Sequence, residues 1–204
     1  MQVLSQNHQI QSLNPQETVR SARVIYYDFF ASLFLFELLE KHQTLLKEQS
    51  KFLMQFSLRD EDTQAFETII ALLDDPSYHI QAEYTRLFSM PNSPISVYLS
   101  HHIDGCNGGE SLVMVRQKLK ELSLILNRSQ IKENEDHFGI LCLLMKILLQ
   151  EKQDQQANEI YLKAISPMQK KIIQSLQKCN CTFYQSVGQV LEGFLMLEES
   201  FIGS

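Results

Sequence analysis

Glycine and proline are scarce in this chain, 7 and 5 among 204 residues, and tryptophan is absent. With so few breakers, many Leu, Gln, Lys and Glu, and little alternation of apolar with polar residues, a strand-rich architecture is excluded. The expectation is an all-α, single-domain, multi-helix bundle. The four cysteines, Cys106, Cys142, Cys179 and Cys181, show no framework spacing and read as reduced cytosolic thiols. Basic residues are also in deficit. The net charge is −6, and no Lys/Arg cluster is large enough to neutralise a row of phosphates, which argues against nucleic acid and favours a basic partner.

Long hydrophobic runs are missing as well. Val24 to Leu39 is interrupted by Asp28 and Glu37, and Phe138 to Leu149 is too short to span a bilayer, so stable membrane insertion is not expected. The N-terminus lacks the basic start and apolar run of a secretory signal, and the chain is expected to stay in the cytoplasm.

What is present is helical periodicity around an apolar fraction of 44%. Residues 1–13 are polar and read as a flexible segment, and residues 14–204 as one all-α domain. Asn14-Pro15-Gln16-Glu17 is a cap, a proline at the first helical position and a glutamate at the third. The helix it opens carries Val19, Ala22, Tyr26, Phe29, Phe30 and Leu33 at helical spacing, with Arg20, Arg23 and Asp28 on other faces. Further helices are predicted near 62–74, 77–90, 110–126, 160–165, 168–176 and 183–199, with a long irregular loop over 91–109.

The most informative stretch is Glu133 to Met145, where a cluster of acids turns abruptly apolar and a helix is predicted to start. Asp136 and His137 are adjacent, and helical neighbours diverge by roughly 100°, so the two do not form a facing dyad. Asp136 is expected over Gly139 and Ile140, where the missing side chain of Gly139 leaves a gap suited to a cationic, greasy ligand.

Other constellations fall short. Cys179-Asn180-Cys181 with His101 and His102 has poor zinc spacing. The glycines of 105–109 lack the strand and the Gly-Lys-Ser/Thr of a phosphate loop, and no nucleophile elbow, metalloprotease helix or kinase signature occurs. No catalytic residue, metal or cofactor of the protein's own is predicted.

Two stretches together carry a resemblance. Glu83-Tyr84-Thr85-Arg86-Leu87-Phe88 followed by prolines, and then Glu135-Asp136-His137-Phe138-Gly139 opening an apolar helix, resemble the TorD/DmsD/NarJ-type chaperones of molybdoenzyme maturation. Arg23 and Tyr26, and Phe183-Tyr184 opening the last helix, are similar to family positions as well. The likeness covers most of the chain. Where the family has Glu-Pro ahead of Asp-His, this chain has Glu133-Asn134-Glu135, and Pro167-Met168 stands where a tryptophan is common.

The resemblance implies a cytoplasmic, non-catalytic chaperone that binds the twin-arginine signal peptide of a molybdopterin-enzyme precursor and delays export until the cofactor is inserted. It implies a peptide site at Tyr84, Leu87, Phe88, Pro91 or Pro94, Glu135, Asp136, His137 and Ile140, and leaves open a monomer or a domain-swapped dimer. A cationic, apolar peptide calls for carboxylates beside a hydrophobic groove, which these residues supply. Two alternatives stand beside it: a helical scaffold or regulator docking a folded partner without reading its leader, and a small enzyme using His137 with a neighbouring acid.

Overall fold

The computed structural model describes residues 15–57, 59–89 and 93–202. The predicted loose segment 1–13, the cap residue Asn14 and Pro91 lie outside them. Eleven α-helices are present among the described residues: α1 (Pro15–Phe34), α2 (Phe36–Lys41), α3 (Gln43–Met54), α4 (Asp60–Asp74), α5 (Ile80–Tyr84), α6 (Leu99–Ile103), α7 (Glu110–Glu121), α8 (Phe138–Gln150), α9 (Asp154–Ile160), α10 (Ser166–Lys178) and α11 (Thr182–Ile202). A π-helical turn, Thr85–Ser89, continues α5, and another, Tyr161–Ile165, joins α9 to α10. The predicted all-α fold is what forms, and none of these helices is long and apolar enough to cross a membrane.

The core is built on α1 and α8, which pack along one another, while α11 lies against α4 and α10. The predicted stripe of α1 is buried from Tyr26 onward, with Phe29, Phe30 and Leu33 fully enclosed, while Val19 in the first turns is exposed and Ala22 half-buried. Phe194 of α11 stacks on Tyr26 at 4.6 Å and meets Tyr27 edge-on at 4.9 Å, the offset and T-shaped geometries that aromatic quadrupoles favour.

Arg23, expected on another face, is instead buried. Its Nε and a terminal nitrogen donate to the two Glu198 carboxylate oxygens at 2.5 and 2.9 Å, and the Tyr27 hydroxyl donates to the same group at 2.8 Å. Sequence reading placed Arg23 outside because its charge, without its partner 175 residues away, belongs in water.

Several boundaries differ from those predicted. No breaker marks the end of α1, yet Leu35 is extended (φ −114°, ψ 116°) and its fully buried side chain joins Ile131 and Ile140 in a second small cluster. Tertiary burial of one leucine turns the chain there. The loop over 91–109 contains the short helix α6, and the polar stretch after α8 is helical as α9.

α7 ends at Glu121 rather than near 126. Ser123 takes a left-handed φ of 55°, its N–H donates to the Lys120 carbonyl and the Leu124 N–H to the Leu119 carbonyl. This is a Schellman turn without glycine. Lys152, at φ 57°, ends α8 the same way.

Candidate functional site

The site is assembled where the segment after Ser93 crosses the mouth of α8. The Ile95 N–H donates to the Leu87 carbonyl at 3.2 Å, the Phe138 N–H to the Val97 carbonyl at 2.8 Å, and the Leu99 N–H to the Asp136 carbonyl at 3.1 Å. Tyr98 and His137 thereby form an isolated antiparallel bridge. Two motifs some fifty residues apart in sequence are stitched together by the short strip between them.

Helix α8 begins at Phe138, later than predicted, with His137 as its cap. Asp136 therefore stands outside the helix and serves another element. Its Oδ2 accepts from the Ser100 N–H at 2.9 Å and the Ser100 hydroxyl at 2.6 Å, and the Gly108 N–H donates to that hydroxyl at 3.1 Å. Asp136 thus satisfies one free first-turn amide of α6, that of the buried Ser100, from a distance in sequence. The carboxylate is fully buried, and its Oδ1 has no hydrogen-bond partner among the described residues.

His137 is 1% exposed, and its Nδ1 accepts the Gly139 N–H at 3.1 Å. Its ring meets Tyr98 edge-on at 5.0 Å. Burial holds the imidazole neutral, with its pKa pushed down to about 3. As predicted, His137 and Asp136 face different partners, and no acid–base dyad arises.

The expected gap at Gly139 is filled. A Cβ there would stand 2.7 Å from Leu35 Cγ, so the missing side chain admits Leu35 and not a ligand. Ile140, 4% exposed, belongs to the same small cluster.

Tyr84, Leu87 and Phe88 are buried, and the crossing strip links Leu87 to Asp136 through the backbone bonds of Ile95 and Leu99. Tyr84 donates to the Phe34 carbonyl at 2.8 Å. Phe34 lies 5.7 Å from the Phe88 ring and 5.0 Å from the Phe138 ring, so it bridges the two motifs. Phe88 also meets Tyr184 edge-on at 4.9 Å. Pro94 is exposed on the crossing strip.

Glu135 faces outward and is clamped by Arg116 and Arg128. Partial burial works to raise this carboxyl, but hydrogen bonds from its own backbone and from both arginines outweigh it and hold it below its ordinary range. Its charge is already answered.

Two open grooves of about 450 Å³ each lie on the surface, and no motif in the sequence marks either. One, beside Glu135, is lined by α7 and the segment that follows it. The other runs between α10 and α11, with Ile173, Leu195 and Met196 near the carboxylates of Glu192 and Glu199. Met196 is 59% exposed, a departure from the apolar face of α11 that hinted at this surface. Ser100, the partner of Asp136, was missed because only the fold brings it there. No group of three or more His, Cys, Asp or Glu poised for a metal occurs among the described residues, and the four cysteines are unpaired.

No curated protein matches the chain. The family model described as nitrate reductase delta subunit matches residues 56–182, more than half of the chain, a span holding α4 to α10 with both Leu87-Phe88 and Asp136-His137. The chain belongs to the nitrate reductase delta subunit family, the NarJ- and TorD-type chaperones to which its two motifs pointed.

Proposed function

We propose that this protein is a cytoplasmic chaperone that binds the twin-arginine signal peptide of a molybdopterin-containing oxidoreductase precursor and holds the precursor back from export until its cofactor is inserted. The observation that carries the reading is the family match across both motifs, joined in the fold by Phe34. The chain acts by binding and release. A dissociation constant near micromolar, about −8 kcal/mol, retains a precursor and still lets it go.

The joint at α8 is closed in this state, so entry of a peptide requires the strip carrying Pro94 to lift. Lifting breaks the Ser100 hydrogen bonds to Asp136 and uncovers Val97 and Leu99, both 1% exposed. It frees a carboxylate for an arginine and bares Leu87 and Phe88 for the apolar body of the peptide. Tyr84, His137 and Ile140 then form the floor, and Pro94 the lip.

A second location has its own support. The groove between α10 and α11 is already open and places Glu192 and Glu199 beside the exposed Met196, two carboxylates against one cation, Lys170, with Glu192 also paired to Arg59.

Titration of a synthetic twin-arginine leader tests both. Saturable binding weakened at least tenfold by Asp136→Asn and untouched by Glu192→Gln/Glu199→Gln is expected. The opposite pattern moves the site to the α10–α11 groove. Absence of saturable binding to any twin-arginine leader, or equal capture of a leaderless client, overturns the reading in favour of a scaffold that docks a folded partner.

A further inference from the structure

The groove beside α7 has the wrong sign for a basic peptide. In a chain of net charge −6, it is lined by three cations, Arg116, Lys120 and Arg128, and one carboxylate, Glu135. Arg116 reaches Glu135 through Nε alone, and Lys120 has no ion-pair partner among the described residues. Cationic capacity is left over.

The groove also carries apolar surface. Leu119, Leu124 and Leu126 line it, and Ile125 stands 94% exposed, the most exposed large apolar side chain among the described residues. Left-handed Ser123 ends α7 and the next residues, 124–127, are irregular and belong to no helix. Leu124 and Leu126 turn inward and Ile125 outward, the alternation of a strand. Among the described residues, neither the N–H nor the C=O of Ile125 or Leu126 has a backbone partner. A short stretch of unpaired backbone with alternating side chains, beside surplus positive charge, offers a template for strand addition.

We propose that this groove is a second docking surface, which takes an extended segment of a partner polypeptide that alternates acidic and apolar residues. The segment pairs its backbone with residues 125 and 126, lays apolar side chains on Leu119 and Ile125, and directs carboxylates at Arg116 and Lys120. Nothing in this depends on the signal-peptide reading, because a twin-arginine leader is repelled here by the same charges.

The test uses the full chain and fluorescence anisotropy with a labelled ten-residue peptide alternating Glu and Val, alongside its Lys–Val counterpart. The acidic peptide is expected to bind saturably and at least tenfold more tightly than the basic one. Binding should weaken on raising salt from 0.05 to 0.5 M, and fall at least tenfold with Arg116→Glu/Lys120→Glu. Should the double variant lose its fold with the Glu135 clamp, Lys120→Glu and Ile125→Asp carry the same test at exposed positions. Of two acidic peptides N-methylated on one or the other alternate set of amides, one should lose binding. Equal binding of the Lys–Val peptide, indifference to these variants, full binding by both methylated peptides, or no saturable binding to either peptide overturns the proposal. Binding of a twin-arginine leader should not weaken in Lys120→Glu, which separates failure here from failure of the signal-peptide site.

Discussion

The mouth of α8 and the groove flanking α7 are neighbours, joined through Asp136 and Glu135, yet they use charge in opposite ways. At the mouth, a fully buried carboxylate holds the amide and hydroxyl of Ser100 and so ties the crossing strip to the helix. In the groove, cations exceed carboxylates, a lysine has no partner among the described residues, and an isoleucine stands in water. The difference teaches that adjacent acidic residues in sequence need not share a role. One closes the chain on itself, while the other sits at the rim of a surface left open.

The comparison breaks if the two regions respond alike to truncation. Phe138→Ala at the mouth should cost about 3 to 5 kcal/mol in urea unfolding, because a buried ring against Phe34 is lost and a cavity remains. Ile125→Ser in the groove should stay within about 0.5 kcal/mol of the parent. A large loss in the second variant would mean that the groove is covered by the chain itself.

The latch can be sharpened with a double-mutant cycle on Ser100→Ala and Asp136→Ala. A hydrogen bond from a hydroxyl to a buried carboxylate predicts a coupling of about 1.5 to 3 kcal/mol. A coupling near zero would leave the strip held by its backbone bonds alone.

His137 supplies a pH signature of the same closed region. Its folded-state pKa of about 3 lies below the roughly 6.5 of an unfolded chain, so as pH falls between them the unfolded chain takes up a proton that the folded one refuses. The stability it contributes is complete above roughly pH 6.5 and declines below it by up to about 1.4 kcal/mol per pH unit. His137→Asn, which keeps a capping acceptor, should flatten that acid limb in melts from pH 7 to 4. An unchanged slope would put the ring in water.

A small gain in stability is expected in the groove's scaffold. Ser123 holds a left-handed conformation that costs a residue with a Cβ about 1 kcal/mol or more, so Ser123→Gly should raise stability by about 0.5 to 1 kcal/mol. No gain would mean that the turn is relaxed as it stands.

Much of the fold was legible because local rules and burial agreed. The α1 stripe from Tyr26 to Leu33, the body of α4 and the apolar body of α8 formed where periodicity placed them. The misses share a cause. Leu35, Ser123 and Lys152 end helices without glycine or proline, and each turn is held by contacts or hydrogen bonds that local residue preferences do not record. At the site, the motif residues were recognisable, but the expected gap at Gly139 was not real, since the helix packs there against Leu35.

The order of residues by itself determined an all-helical chain, its family and the two motifs that mark it, because helix periodicity and short motifs are properties of neighbours along the chain. Only the tertiary structure decided that Asp136 turns inward to Ser100, that Glu135 is clamped by Arg116 and Arg128, and that Ile125 is left in water. Those outcomes depend on which distant groups arrive beside each charge, and the free energy of a carboxylate is set by those surroundings and not by its place in the sequence.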